Sequence, residues 1–290
     1  MVSTGEVTLR KENIERMVKG FALEAYTMKQ LVMVQSSNSW QESYFQETAA
    51  DLSASGTRSV KGIPRLAGFP YGEVEWTKKF KFLEKYGLEG VVSWEDEQTD
   101  NIDVIARTLL RIARAVAKAV DDEIWEVLSE GQSPSLINEE AVAVGSEWDS
   151  ATVANRDPIQ NILNARKEIK TDNYEIGGNG YLLLNPKNFS NLMGNANIRN
   201  AGQFYTADVT KNGVVGKLLG LTVVESNAVT SDNAMVVIAK ECGTWKAAAP
   251  LTVVTIKDPG IKTTIRAWEV GATQLINPEA VCLITNTDKT

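Results

Sequence analysis

TDNIDVIARTLLRIARAVAKAVDDEIWEVLSEGQSP, residues 99–134, is the longest periodic run in the chain. Ile102, Ile105, Leu109, Ile112, Val116 and Val120 recur at helical spacing, which at about 100° per residue gathers them on one side of a helix. Arg107, Arg111, Arg114 and Lys118 centre about 170° away. Thr99 or Asp100 offers a cap, Asp103 stands where the macrodipole favours an acid, and Gly131 with Pro134 closes the helix. About 30 residues at about 1.5 Å each make a rod of roughly 45 Å. One face is built to pack. The opposite, basic face is either a solvated helix surface or a contact with a partner's acidic surface or enclosed nucleic acid.

On the N-terminal side, alternation over Val74–Leu83 places Trp76, Phe80 and Phe82 on one strand face with Lys78, and Lys79 and Lys81 on the other. A turn over Glu84–Gly87 and a return through Val91, Val92 and Trp94 predict a two-stranded ribbon. Such a ribbon is marginal alone and needs a partner surface. Residues 36–72 are rich in Ser, Thr, Gly and Pro and read as extended. Before them, Ile14, Met17, Val18, Phe21, Ala25, Met28, Leu31 and Val32 form an apolar stripe that predicts an amphipathic arm over Leu9–Gln35. Beyond the long helix the expectations are a short hairpin over Leu136–Val144, a helix over Pro158–Lys170 entered through Asp157, and a strand over Tyr181–Leu184. A helix should follow from Asn185–Pro186 to Met193, then a polar loop over Gly194–Asn212. Five strands are expected at Val223–Glu225, Ala234–Ala239, Leu251–Lys257, Lys262–Val270 and Ala280–Thr285.

Composition removes most chemistries. The 290 residues carry 30 Lys plus Arg against 37 Asp plus Glu, net −7, which disfavours a dedicated nucleic-acid reader. There is no histidine, so imidazole general-base catalysis and nearly all zinc and haem sites are excluded. Cys242 and Cys282 lie far apart, without metal-knuckle spacing, and read as buried thiols. Met1–Arg10 lacks signal-peptide features and no apolar run approaches about 20 residues, so assembly in a cytoplasm without membrane contact is expected. The acidic runs Asp121–Glu123 and Glu95–Glu97 hold neighbouring carboxylates that diverge on a helix. GVVGKLLG, Gly213–Gly220, lacks the hydroxyl of a phosphate loop. No cofactor, metal or catalytic residue is expected, and the features describe a subunit built to touch neighbours.

The order of the segments then resembles the major capsid proteins of tailed double-stranded DNA phages from Gly62 onward. GIPRLAGFPYGEVEWTKKF (Gly62–Phe80), VVSWEDE (Val91–Glu97) and AVDDEIWEVL (Ala119–Leu128) are similar to that family's extended arm, E-loop and spine helix. YLLLNPKNFSNLM (Tyr181–Met193), GVVGKLLGLTVVESN (Gly213–Asn227) and TTIRAWEVGATQLINPEAVCLIT (Thr263–Thr285) are similar to its axial domain and last peripheral strands.

The resemblance implies an α+β phage major capsid fold with N-terminal arm, E-loop hairpin, peripheral domain with long spine helix, and axial domain. The implied boundaries are 1–72 for the arm, 73–98 for the E-loop and 99–150 for the peripheral domain with its spine helix. The axial domain takes 151–250, and 251–290 return to the peripheral strands. It implies hexamers and pentamers closing an icosahedral shell around viral double-stranded DNA, held by weak non-specific contact, in a virion assembled in the host cytoplasm. Trp76, Lys78, Lys79, Phe80, Lys81, Phe82 and Lys85 would form the E-loop subunit interface. Asn195, Asn197, Arg199, Phe204 and Lys211 would form the axial loop, and Arg107, Arg111, Arg114 and Lys118 would meet the interior or an adjacent arm. Some members link subunits by an isopeptide bond from an E-loop lysine, and no pattern here singles one out. Only some 60 residues precede the resemblance, too few for the family's larger scaffolding prodomain, so a separate scaffolding protein is expected, with Leu9–Gln35 as the alternative internal substitute, and a portal is the other expected partner. An encapsulin-like shell enclosing a cargo enzyme shares the fold and stays the alternative.

Overall fold

The computed structural model of the protein describes residues 26–47, 61–72, 76–99, 103–195 and 216–288. They divide into two compact units. The first takes the described residues of Met1–Glu42, Lys81–Val127 and Thr244–Gln274, and the second those of Ser43–Phe80, Leu128–Gly243 and Leu275–Thr290.

The first unit is built on a four-stranded sheet and the long helix. Its strands are β1 (Met33–Ser36), β4 (Glu84–Ser93), β10 (Gly243–Asp258) and β11 (Lys262–Leu275), in the order β1-β10-β11-β4. β10 and β11 are joined by a tight turn in which Gly260 has φ +76°, a conformation open to glycine. β1 lies parallel to β10, Met33 opposite Thr244, and β4 runs antiparallel to β11 from Glu84–Gly271 to Ser93–Lys262.

A short helix α1 (Trp94–Thr99) precedes the long α2 (Asp103–Leu128), whose 26 residues span about 39 Å. Trp94 opens α1 rather than ending a strand, Thr99 closes α1, and Asp100 and Ile102 lie outside the described residues. Leu109, Ile112, Val116 and Val120 are buried as expected, joined by Ala113, Ala117, Ile124 and Trp125. The helix passes so close to β4 that a Cβ on Gly90 would lie 2.6 Å from the Ile112 Cδ1 and 2.9 Å from the Thr108 Cγ2. Glycine is what lets backbone and helix approach there.

The second unit contains a six-stranded mixed sheet. β5 (Asn138–Ala141), β6 (Gly180–Leu184), β7 (Lys217–Leu218), β8 (Leu221–Glu225), β9 (Ala234–Ile238) and β12 (Val281–Thr285) take the order β5-β12-β9-β6-β8-β7. Every residue of β9 is buried, matching its unbroken apolar run and its central position. Leu182, Leu184, Val236, Ile238, Cys282 and Ile284 share a core with Ile162, Ala165 and Ile169 of α3 (Pro158–Thr171). Asp157 caps α3 by accepting from the Gln160 N–H at 3.2 Å, and Asn185 caps α4 (Pro186–Gly194) by accepting from the Lys187 N–H at 3.0 Å. Each cap precedes a proline, as the sequence predicts.

Three expectations are corrected. The ribbon between Val74 and Trp94 does not pair with itself. β3 (Trp76–Phe82) pairs with β2 (Gln41–Glu47), while β4 joins β11. β11 offers β4 ten consecutive partners, more ladder than a return onto the seven residues of β3 could supply. Leu136–Val144 forms no hairpin either, because β5 is a single edge strand parallel to β12, Cys282 opposite Asn138. Where the arm is described, it is one 3₁₀ turn, Met28–Gln30, followed by β1, rather than a helix. Its upstream part, with Ile14, Met17, Val18, Phe21 and Ala25, lies outside the described residues.

Candidate functional site

Three groupings of side chains stand out. The first lies on β3. Alternation holds as the sequence predicts, but the face turned outward is the aromatic one. Trp76, Phe80 and Phe82 are 52, 59 and 65% exposed, and Lys78 on the same face sits 5.2 Å above the Phe80 ring. Phe45 of β2 meets Trp76 edge-on, with ring centroids 6.1 Å apart. Lys79 and Lys81 face the other way and are half-buried. The Lys81 ammonium pairs with Glu123 of α2 at 3.0 Å. Lysines can lie inward because their long stems cover apolar surface while the charged head reaches a carboxylate. Lys85, on β4, is exposed and lies 5.2 Å from the Trp268 ring.

The second is the basic face of α2. Arg107, Arg111, Arg114 and Lys118 are all exposed. Among the described residues no carboxylate forms an ion pair with any of the three arginines, and Asp122 is the acid whose charge Lys118 offsets.

The third was missed by sequence reasoning. Asp121, 4% exposed on α2, accepts from the backbone N–H of Thr27 at 2.8 Å and of Met28 at 3.1 Å, and from the Thr27 hydroxyl at 2.7 Å. Burial raises its carboxyl above the ordinary range, against the pull of those donors. Glu269 of β11, fully buried, accepts from the Tyr26 hydroxyl at 2.5 Å and the Trp245 indole N–H at 3.1 Å, and pairs with the Lys29 ammonium. Two acids thus fasten residues 26–29, while Met28, Leu31 and Val32 bury their side chains beside them. Nothing local marks Asp121 out from Asp122; the difference is which one the strap crosses.

Of the axial-loop residues, Asn195 follows α4 and donates from its side-chain amide to the Arg156 carbonyl at 3.4 Å. Asn197, Arg199, Phe204 and Lys211 lie outside the described residues.

One groove among the described residues, about 230 Å³ and lined by Lys85, Gly87, Leu88, Glu89, Arg266, Ala267 and Trp268, is open and smaller than the roughly 300 Å³ where ligand pockets begin. Arg266 and Glu89 close one side of it by pairing at 2.9 Å. Cys242 and Cys282 are fully buried. Burial pushes the Cys242 thiol up to about 12 and raises Cys282 also, with Glu140 adding to the effect, so neither is a nucleophile. Among the described residues no group of acids or cysteines could hold a metal ion.

A family model for the phage capsid protein matches residues 77–284, the span from β3 to β12. The chain belongs to the phage capsid protein family. Among curated proteins none matches it. Solved structures share its fold. A chain from Mycobacterium phage Che8 is 17% identical with a TM-score of 0.65, covering 91% of this chain and 92% of its own. The capsid of cyanophage P-SCSP1u is 14% identical, TM-score 0.65, covering 90% and 88%. A virus-like particle from Pyrococcus furiosus is 12% identical, TM-score 0.62, covering 95% and 99%. At such identity the likeness establishes the α+β phage capsid fold. This capsid protein is therefore a major shell subunit whose place is the capsid of a virion.

Proposed function

We propose that this capsid protein assembles as hexamers and pentamers into a closed icosahedral shell around viral double-stranded DNA, and that it performs no catalysis. The observation that carries the reading is the outward aromatic face of β3. Trp76, Phe80 and Phe82 are more than half exposed on one strand, and aromatic side chains are the residues that anchor protein interfaces once a partner excludes water. Many copies of a modest contact close a shell when the symmetry lets each subunit make it at once. In this reading Trp76–Lys85 is the E-loop contact, the segment around Asn195–Lys211 faces the local axes, and the 73–98, 99–150 and 151–250 blocks are E-loop, peripheral and axial parts. A separate scaffolding protein and a portal complete assembly in the host cytoplasm. The fold shared with a virus-like particle from Pyrococcus furiosus keeps an encapsulin-like compartment as the second reading.

Negative-stain electron microscopy of the purified protein, with and without a co-expressed scaffold gene product, tests this. Closed shells, or hexamers and pentamers that close with scaffold, are expected. A monodisperse monomer or dimer under every condition would overturn the proposal. Shells that package a co-expressed host enzyme and no nucleic acid would favour the compartment.

A further inference from the structure

We infer that the basic face of α2 is a docking strip for the phosphate backbone of duplex nucleic acid, and so the face of the first unit turned toward the packaged DNA. This rests on the shell reading for its biological setting; the binding chemistry is independent of it. An ordinary solvated helix intersperses acids among its bases at i+3 and i+4, because such pairs stabilise it and like charges there repel. The strip does the reverse. Arg107, Arg111, Arg114 and Lys118 follow one another at i+4, i+3 and i+4 with no acid between them, in a chain whose net charge is −7. All four are exposed, and the lysine alone has an acid, Asp122, offsetting it. Arg111 and Arg114, with no acid at i±3 or i±4, carry a mutual repulsion that a polyanion removes.

The spacing suits that occupant. From Arg107 to Lys118 the helix rises about 16 Å, a mean of about 5.5 Å between successive cations. Phosphates of one DNA strand follow one another about every 3.4 Å along the duplex axis, so each cation has a phosphate within reach without a one-to-one match. Three of the four are guanidinium groups, whose fork matches a phosphate's paired oxygens. Between them the helix offers Leu110, Ala115 and Ala119, half-buried, so no bulky side chain holds a duplex off. It also offers no exposed ring to stack on and no amide to read a base edge. Contact would therefore be to the backbone alone and blind to sequence. Asp121, at the end of the strip, is buried on the strap of residues 26–29, so its charge is already engaged and does not oppose the phosphates.

The test is fluorescence anisotropy of a labelled 20-base-pair duplex against the full-length protein dissociated to subunits, over a salt series, beside the same protein as closed shells. Neutralising three to four phosphates gives a log–log salt slope near −3, a loss of roughly 40- to 150-fold between 50 and 200 mM salt. The R111E/R114E variant, and R111Q/R114Q in case reversal disturbs folding, should weaken binding at least tenfold and flatten the slope. Closed wild-type shells should leave added duplex unbound, since the strip is then inside. Wild-type subunits that ignore the duplex, or variants that bind it undiminished, overturn the inference. So does a variant that binds duplex normally yet forms no shells, which would make the strip a contact between subunits. Closed shells that bind added duplex place it outside and equally overturn it. Wild type that never forms shells but binds duplex through the strip counts against the shell reading, with the phosphate contact upheld.

Discussion

The Lys29 ammonium and the Glu269 carboxylate form an ion pair whose acidic member is fully buried, although 240 residues separate the two in sequence. Lys29 also lies 4.4 Å from the Tyr26 ring and 5.6 Å from that of Trp245, so the cation is lodged among aromatic faces and one acid. Removing it leaves Glu269 buried with neutral donors only. Lys29→Met should destabilise the subunit by about 3 kcal/mol, the cost of stranding one partner of a buried pair. Urea unfolding of dissociated subunits measures this, and an unchanged midpoint would show that water reaches Glu269.

Asp121 gives a pH signature. Its folded-state carboxyl is raised above 3.8 by burial, so the native state holds the proton more tightly than the unfolded chain. Its contribution to stability therefore grows as pH falls through the folded value and is complete below the unfolded one. Asp121→Asn keeps an acceptor for the strap and abolishes the titration. Its amide NH2 replaces one of the two accepting oxygens and leaves one strap donor unpaired, so at pH 7 it should be about 1–3 kcal/mol less stable than wild type, with wild type gaining further on it as pH falls from 7 to 4. Unfolding midpoints that run parallel across that range would rule the titration out. Glu130 behaves oppositely. Burial opposes its ionisation, but the N–H groups of Leu136, Ser135 and Ile137 outweigh that and lower its carboxyl, so its share is lost as pH falls through the folded value below 4.5.

Gly90 is a steric prediction. A methyl group there would meet Ile112 at 2.6 Å, and side chains of a packed helix yield little, so Gly90→Ala should cost about 1–3 kcal/mol and Gly90→Val more. Thermal unfolding reports it; a variant as stable as wild type would mean that α2 shifts freely over β4.

The aromatic face of β3 separates folding from assembly. Trp76→Ala with Phe80→Ala removes side chains that are a little over half exposed, together with the Trp76–Phe45 ring contact, so subunit stability should fall by only about 1–2 kcal/mol. If the face meets a neighbour, the concentration needed for shells should rise at least tenfold, read by light scattering. Normal assembly by this variant would exclude the face from subunit contacts.

The sequence by itself determined what is decided within a few residues. Asp157–Pro158 and Asn185–Pro186 cap and pre-set α3 and α4, the spacing of Leu109, Ile112, Val116 and Val120 selects the buried side of α2, and unbroken apolar runs mark β6, β9 and β12 as interior strands. The absence of histidine closed most catalytic routes before any fold was known. Only the tertiary structure decided which strands pair and which face of β3 turns outward. Period-two alternation defines two faces without saying which is covered, and strand pairing depends on partners brought in from far along the chain. β4 meets β11 across some 180 residues, and the strap at Thr27 meets Asp121 across 94. Local propensity carries no information about such distant pairs, because their free energy exists only once the chain has closed the loops between them.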